Sequence, residues 1–211
     1  MRLILASTSP RRKDLFTLLH IPFEVVAPPF QEQLRQECSA AEQAQRFALG
    51  KAWSCAERYP DSLVLGSDTL ISVGADVLGK PADLEEARAT LQRLRGREHV
   101  IHTAVAVCRR RDDLQDLAVE TVRVWMHNLS DAEVEAYLQT EEWMGKAGAY
   151  SIQESGSRLI ARIEGDYTAA VGLPLRLVAR LLRMYGVDAP DIQSLYQTKS
   201  YPNWARFNPG L

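Results

Sequence analysis

A chain of 211 residues, 46% of them hydrophobic, is long enough to bury a sizeable core, and no linker divides it, so one large domain with at most a small lobe is expected. Its 25 basic residues nearly balance 27 acidic ones, which excludes the strongly positive footprint of a protein that coats nucleic acid but leaves a small charged ligand open. No run approaches the roughly 20 apolar residues of a membrane span, and the apolar stretch after Arg2 ends at Ala6, too short for a signal peptide, so a cytoplasmic protein with no membrane partner is expected.

Leu3 to Ala6 reads as a short strand that runs through Ser7, Thr8 and Ser9 into a helix opened by Pro10. Hydroxyls, unpaired helix N–H groups and the positive end of the dipole make this an anion site, and the guanidinium forks of Arg11 and Arg12 suit a polyphosphate. Taken alone, the same octapeptide reads equally well as a capped helix with two solvated arginines. The helix extends to Leu19, a short strand spans Phe23 to Ala27, and Pro28 and Pro29 close it.

Ser39 with Glu42 three residues on has capping-box spacing and opens a second helix, whose stripe Ala44, Phe47, Ala48 and Ala52 has Lys51 beside it. Leu63 to Leu65 reads as a buried strand ending in Gly66-Ser67-Asp68-Thr69. A hairpin of Leu70 to Val73 with Val77 and Leu78 follows, then Gly79-Lys80-Pro81. Asp83 opens a third helix that Gly96 stops, and Val100 to Cys108 pairs with Leu117 to Trp125 around a solvated tip at Arg109 to Asp116. Cys38, Cys55 and Cys108 lack CxxC spacing, and His99 and His102 on one strand would face opposite ways, so neither a disulfide frame nor a histidine metal site is expected.

Ser130 and Glu133 cap a further helix, and Lys146-Ala147-Gly148-Ala149-Tyr150 supplies small residues where a backbone or ligand can come close. Gln153 falls on what reads as a strand, Leu159 to Ile163 as another, Asp166 to Val171 as a loop, and Pro174 to Tyr185 as the last long helix. Residues 1–187 thus form the domain. The tail 188–211, with Tyr196, Tyr201, Trp204 and Phe207 among prolines, is either docked on the body or partly disordered.

Lys51, Lys80, Arg11 and Arg12 could neutralise phosphates, while Glu32 and Asp68 could hold a hard divalent metal and orient a water. Each alone also reads as an ordinary turn or surface residue. Together, Leu5-Ala-Ser-Thr-Ser-Pro-Arg-Arg12, Glu32, Ala48-Leu-Gly-Lys-Ala52, Gly66-Ser-Asp-Thr69, Leu78-Gly-Lys-Pro81, Lys146-Ala-Gly-Ala-Tyr-Ser-Ile-Gln153 and Val171-Gly-Leu-Pro174 resemble the Maf family, the septum-formation-inhibitor-like nucleotide pyrophosphatases, over about residues 2 to 186.

The resemblance implies an α/β fold with an elongated, bent mixed sheet flanked by helices, two lobes around a cleft, and a likeness to inosine-triphosphate pyrophosphatases. It also implies hydrolysis of a nucleoside triphosphate to the monophosphate and pyrophosphate with Mg²⁺ or Mn²⁺. On that basis Asp68 is the proton acceptor, Ser7, Arg11, Lys51 and Lys80 hold the triphosphate, and Glu32 with Asp68 holds the metal, although Gln31 stands where many relatives carry a second acid. Arg12, Thr69 and Gln153 match positions of substrate choice and are similar to the branch acting on dTTP and UTP. A 7-methyl-GTP pyrophosphatase, a nucleotide-binding regulator without turnover and a partner-binding protein stay open. A homodimer is compatible with the resemblance.

Overall fold

The computed structural model describes residues 1–35 and 37–207. In chain order these form β1 (Leu3–Ala6), α1 (Pro10–Thr17), β2 (Glu24–Val26), α2 (Ala40–Ala56), β3 (Leu63–Val73), β4 (Asp76–Leu78), α3 (Leu84–Leu94), β5 (Glu98–Arg109) and β6 (Leu114–Met126). There follow α4 (Asp131–Leu138), β7 (Ile160–Glu164), α5 (Tyr167–Val171), α6 (Leu175–Met184), α7 (Gln193–Thr198) and α8 (Trp204–Phe207). Among these residues no helix is long and apolar enough to cross a membrane.

The strands make one mixed open sheet in the order β2-β1-β3-β5-β6-β7, with β4 also on β3. β1 lies parallel to β2 and β3, and every other pairing is antiparallel. This is the expected α/β class. Local chemistry sets the helix starts: Ser39 and Ser130 both close full capping boxes, and Asp83 caps α3 through the Glu86 N–H. α6 buries Leu175, Val178, Leu181 and Leu182 and leaves Arg176, Arg180 and Arg183 in solvent, the spacing of a helix lying on a sheet.

Strand alternation divides the core in two. Val64 and Leu70 of β3 face α2, joining Ala44, Phe47, Ala48 and Ala52, whereas Leu63, Leu65 and Ile71 join the larger cluster that includes α3, α5 and α6. β5 pairs with one edge of β3 from Val64 to Ser72. On the other edge β1 pairs only as far as Gly66 and β4 begins at Ile71, so residues 67 to 70 span a gap in the sheet. In open α/β sheets, ligands bind beyond the carboxyl ends of parallel strands, and this gap begins where β1 ends.

Three expectations need correction. β3 does not end before Asp68 but runs unbroken to Val73, because β5 pairs with it throughout; the Gly66 that reads as a turn signal serves close packing instead. A Cβ on Gly66 would lie 2.3 Å from the Ala48 carbonyl oxygen of α2. Gln153 is not on a strand but precedes a 3₁₀ turn over Glu154–Leu159. Asp166 to Val171 is not a loop, since the Asp166 carboxylate accepts from the Thr168 N–H and caps α5.

The tail packs on the body through buried Tyr196, Trp204 and Phe207, and its residues 208–211 lie outside the described ones. Cys38, Cys55 and Cys108 are free thiols. The β5–β6 tip is self-paired, with Arg109 and Arg110 bridged to Asp112 and Asp113.

Candidate active site

The gap in the sheet opens into a cleft of about 1230 Å³. Ser7, Arg11, Arg12, Glu32, Lys51, Asp68, Thr69, Lys80 and Gln153 all line it, so residues spread over 147 positions of sequence (7 to 153) converge on one cavity.

One wall is built of charges. Gly66 lets α2 press against β3, and this closeness brings Lys51 Nζ to 2.5 Å from Asp68 Oδ1. Glu32 reaches the same ammonium, also at 2.5 Å, from the loop before α2. That loop is held by two devices. The Phe30 ring covers Gly50 so tightly that a Cβ there would meet it at 2.2 Å, and the Gln43 carboxamide both donates to the Arg35 carbonyl and accepts from the Arg35 N–H. Lys80, its side chain 59% exposed, stands 3.9 Å from Glu32 on the solvent side.

Burial pushes the Asp68 carboxyl above the usual aspartate range, although Lys51 and Arg12 pull against it. Glu32 is also penalised by burial, yet Lys51, Lys80 and Arg12 outweigh that and hold it below the glutamate range. The two carboxylates share one ammonium and move in opposite directions because Asp68 is the more deeply buried, with 7% side-chain exposure against 34%. Asp68 Oδ2 is buried with no hydrogen-bond partner among the described residues.

A second wall is built of neutral hydrogen bonds around a guanidinium. Arg12 Nε donates to the Gly172 carbonyl at 2.9 Å and Nη2 to Thr69 Oγ1 at 3.0 Å. Thr69 lies 2.9 Å from Thr103 Oγ1, whose own proton goes to the Ala169 carbonyl at 2.8 Å. The donors therefore run one way, Arg12 to Thr69 to Thr103 to Ala169, and fix Thr69 as donor to Thr103. Burial lowers the pKa of Arg12 and Arg11, but a guanidinium keeps its charge, and neither forms an ion pair with a described residue.

Ser7 is buried at the end of β1, and its hydroxyl accepts from the Ser9 N–H at 3.1 Å; Ser9 in turn caps α1. Gln153 is held by its N–H to Ser151 Oγ, with Ser151 donating to Tyr137 and the next turn capped by the Glu142 carboxylate. Of Ala147, Gly148 and Ala149 before it, only Ala147 lines the cleft. Gly148 and Ala149 are buried against β3, and a Cβ on Gly148 would meet Ile71 at 2.8 Å.

Sequence reasoning missed Thr103, the Gly172 carbonyl and Tyr201. Thr103 carried no signal, being a small polar residue within the apolar run of a long strand, and Gly172 acts through a backbone atom that any residue would have. Tyr201 belongs to the tail yet lines the cleft with Pro202. Among the described residues no group of three or more His, Cys, Asp or Glu side chains converges as a metal site; of the cleft carboxylates Asp14, Glu32, Asp68 and Glu154, Glu32 and Asp68 are the two that meet at one ammonium.

A family model described as Maf-like protein matches residues 2–185. A dTTP/UTP pyrophosphatase of Bacillus velezensis is 40% identical over 188 residues, covering 89% of this chain and 98% of the relative. One of Symbiobacterium thermophilum is 45% identical over 185 residues, 88% of this chain and 94% of its own. A third, of Geobacillus sp., is 41% identical over 185 residues, 88% of this chain and 98% of its own.

Proposed function

Because this chain belongs to the Maf-like protein family, we propose that it is a nucleoside triphosphate pyrophosphatase that hydrolyses dTTP and UTP to the monophosphate and pyrophosphate. The observation that carries this reading is the cluster in which Lys51 Nζ lies 2.5 Å from both Glu32 and Asp68, in a cleft that also receives Arg11, Arg12 and Lys80. Cations and carboxylates interleaved in this way suit a polyanion whose hydrolysis needs a base.

The residues fit a hard divalent cation. Asp68 Oδ2 is a buried oxygen with no hydrogen-bond partner among the described residues, and two carboxylates are the protein share that Mg²⁺ commonly takes, with phosphate oxygens and waters completing its shell. Glu32 and Asp68 would hold it, and the bound ion would neutralise charge developing on the phosphates. Asp68, its carboxyl made more basic by burial, accepts the proton of the attacking water. Lys51 and Lys80 offset phosphate charge, Arg11 and Ser7 grip phosphate oxygens, and the N–H groups of Arg12 left over from Gly172 and Thr69 face the same ligand. Gln153 pairs with the polar edge of the pyrimidine, so a base that leaves the carboxamide unpaired binds less well.

Pyrophosphate release from dTTP, UTP, CTP, 7-methyl-GTP and dITP, each with Mg²⁺ or Mn²⁺, tests the reading. The expected order places dTTP and UTP together at the top, since one methyl group contributes only about 1 to 3 kcal/mol of discrimination. Preference for 7-methyl-GTP, or binding without turnover, would overturn it.

A further inference from the structure

The family model matches residues 2–185, so the segment that carries Tyr201 lies beyond the matched body, yet it is fastened there at both ends. Upstream, the Tyr196 hydroxyl donates to Asp166 Oδ2 at 2.7 Å and accepts from the Arg176 N–H at 3.3 Å. Downstream, Trp204 and Phe207 stack on Tyr167, whose hydroxyl donates to the Pro202 carbonyl at 2.5 Å. Between these anchors the backbone passes through the left-handed region at Lys199 and again at Asn203, with φ of 48° and 63°. The bend so formed contributes Tyr201 and Pro202 to the cleft wall.

Four aromatic side chains line the cleft, Phe30, Phe47, Tyr150 and Tyr201, and three of them are engaged with other rings. Phe30 and Phe47, which lie close to Glu32 and Lys51 in the chain, pair with each other at a centroid distance of 6.2 Å. Tyr150 is buried and set edge-on to His99 at 5.5 Å, with its hydroxyl bonded to the imidazole. Tyr201 packs against the main core but is only half-buried, and its ring pairs with no described ring, unlike its tail neighbours Tyr196, Trp204 and Phe207. The charges of the cleft suit phosphates, and the Gln153 carboxamide suits the polar edge of a base. A nucleobase also presents a flat π face, for which an aromatic ring is the matching surface. Building on the proposed nucleotide pyrophosphatase reading, we propose that Tyr201 is a base-binding residue whose ring is the platform on which the pyrimidine stacks. The ring and not the hydroxyl makes this contact, and the tail supplies it from outside the family-matched body of the fold.

The two products of the proposed reaction separate the base from the released phosphates, so the test is calorimetric binding of dTMP and of pyrophosphate, each with Mg²⁺, to wild type and to variants at Tyr201. Tyr201→Ala should weaken dTMP about tenfold, the loss expected for one stacked base, and leave pyrophosphate within about twofold of wild type. Tyr201→Leu keeps apolar bulk for packing but has no π face, so it should lose dTMP affinity as Tyr201→Ala does. Tyr201→Phe keeps the ring and should bind both products as wild type does. Binding of dTMP by Tyr201→Leu as tight as by wild type, equal losses of dTMP and pyrophosphate, or a loss in Tyr201→Phe as large as in Tyr201→Ala would each overturn the assignment. Failure of the activity reading looks different. If no nucleotide of the panel releases pyrophosphate while dTMP binding still depends on the ring, that reading falls and the platform stands, whereas a wild type that does not bind dTMP removes the platform whatever it hydrolyses.

Discussion

The two walls of the cleft are stabilised by different physics, although neighbouring residues of one strand build both. Asp68 faces α2 and enters a cluster in which one ammonium serves two carboxylates, whereas Thr69 faces the opposite side and enters a one-way relay that ends on a backbone carbonyl. The charged wall is under-compensated: a buried carboxylate oxygen has no hydrogen-bond partner among the described residues, and the loop carrying Glu32 is held by packing on Gly50 and by Gln43. The neutral wall is nearly saturated, since each hydroxyl proton of the relay has a defined acceptor. An unsaturated wall can receive cations and anions during a reaction, and a saturated one can select shape without rearranging.

The largest expected effect separates chemistry from folding within the charged wall. Asp68→Asn keeps the shape but cannot accept a proton, so kcat for pyrophosphate release should fall by about 10² to 10⁴, while nucleotide binding by calorimetry persists. A rate within a few-fold of wild type would transfer the role to Glu32.

Next come the two lysines, which the structure places in unequal surroundings. Lys51→Ala leaves two carboxylates facing each other without their shared cation, and removing one partner of a buried pair costs about 3 to 5 kcal/mol. Both activity and melting temperature should therefore drop. Lys80→Ala removes a mostly exposed group, so activity should fall at constant melting temperature. Arg109→Ala, at the self-paired hairpin tip, should change neither. Equal activity losses in all three would mean that diffuse positive charge, and not a built wall, drives binding.

In the neutral wall, Thr103→Val breaks the relay: the Ala169 carbonyl keeps only its bond from the Gly172 N–H, and the Thr69 hydroxyl is freed to rotate. The cost should be about 0.5 to 1.5 kcal/mol in chemical denaturation, that of a lost hydrogen bond, with Arg12 and Thr69 less well oriented and KM raised more than kcat is lowered. A variant as stable as wild type with unchanged KM would show that Arg12 needs only Gly172.

The smallest effect concerns pH. His99, almost wholly buried behind the neutral wall on Tyr150, has its pKa lowered by desolvation from 6.5 to about 4. The unfolded chain thus takes up a proton that the folded chain refuses, so this contribution is complete above pH 6.5 and is lost as pH falls toward 4. Its slope there should be about 1.4 kcal/mol per pH unit. Comparing unfolding free energies of wild type and His99→Gln at pH 7 and pH 5 checks this, and parallel pH dependences would show that His99 is not the titrating group.

How much of this was legible beforehand depends on the range of each interaction. The helix starts at Pro10, Ser39, Asp83 and Ser130 were readable because a cap is a contact across three residues, and the alternation of β5 and β6 was readable because a strand repeats every two. The amino-acid sequence by itself therefore determined the elements, the α/β class and, through its motifs, the set of residues that meet in the cleft. Tertiary structure alone decided that β3 continues through Gly66, because a glycine that resembles a turn signal locally is needed for an α2 carbonyl that approaches it from 18 residues upstream. It alone decided that Lys51 bridges Glu32 and Asp68 and that Thr103 completes the relay. Each of these contacts closes a long loop of chain, and no local propensity reports which two distant side chains the packing of a helix on a sheet will bring within 3 Å.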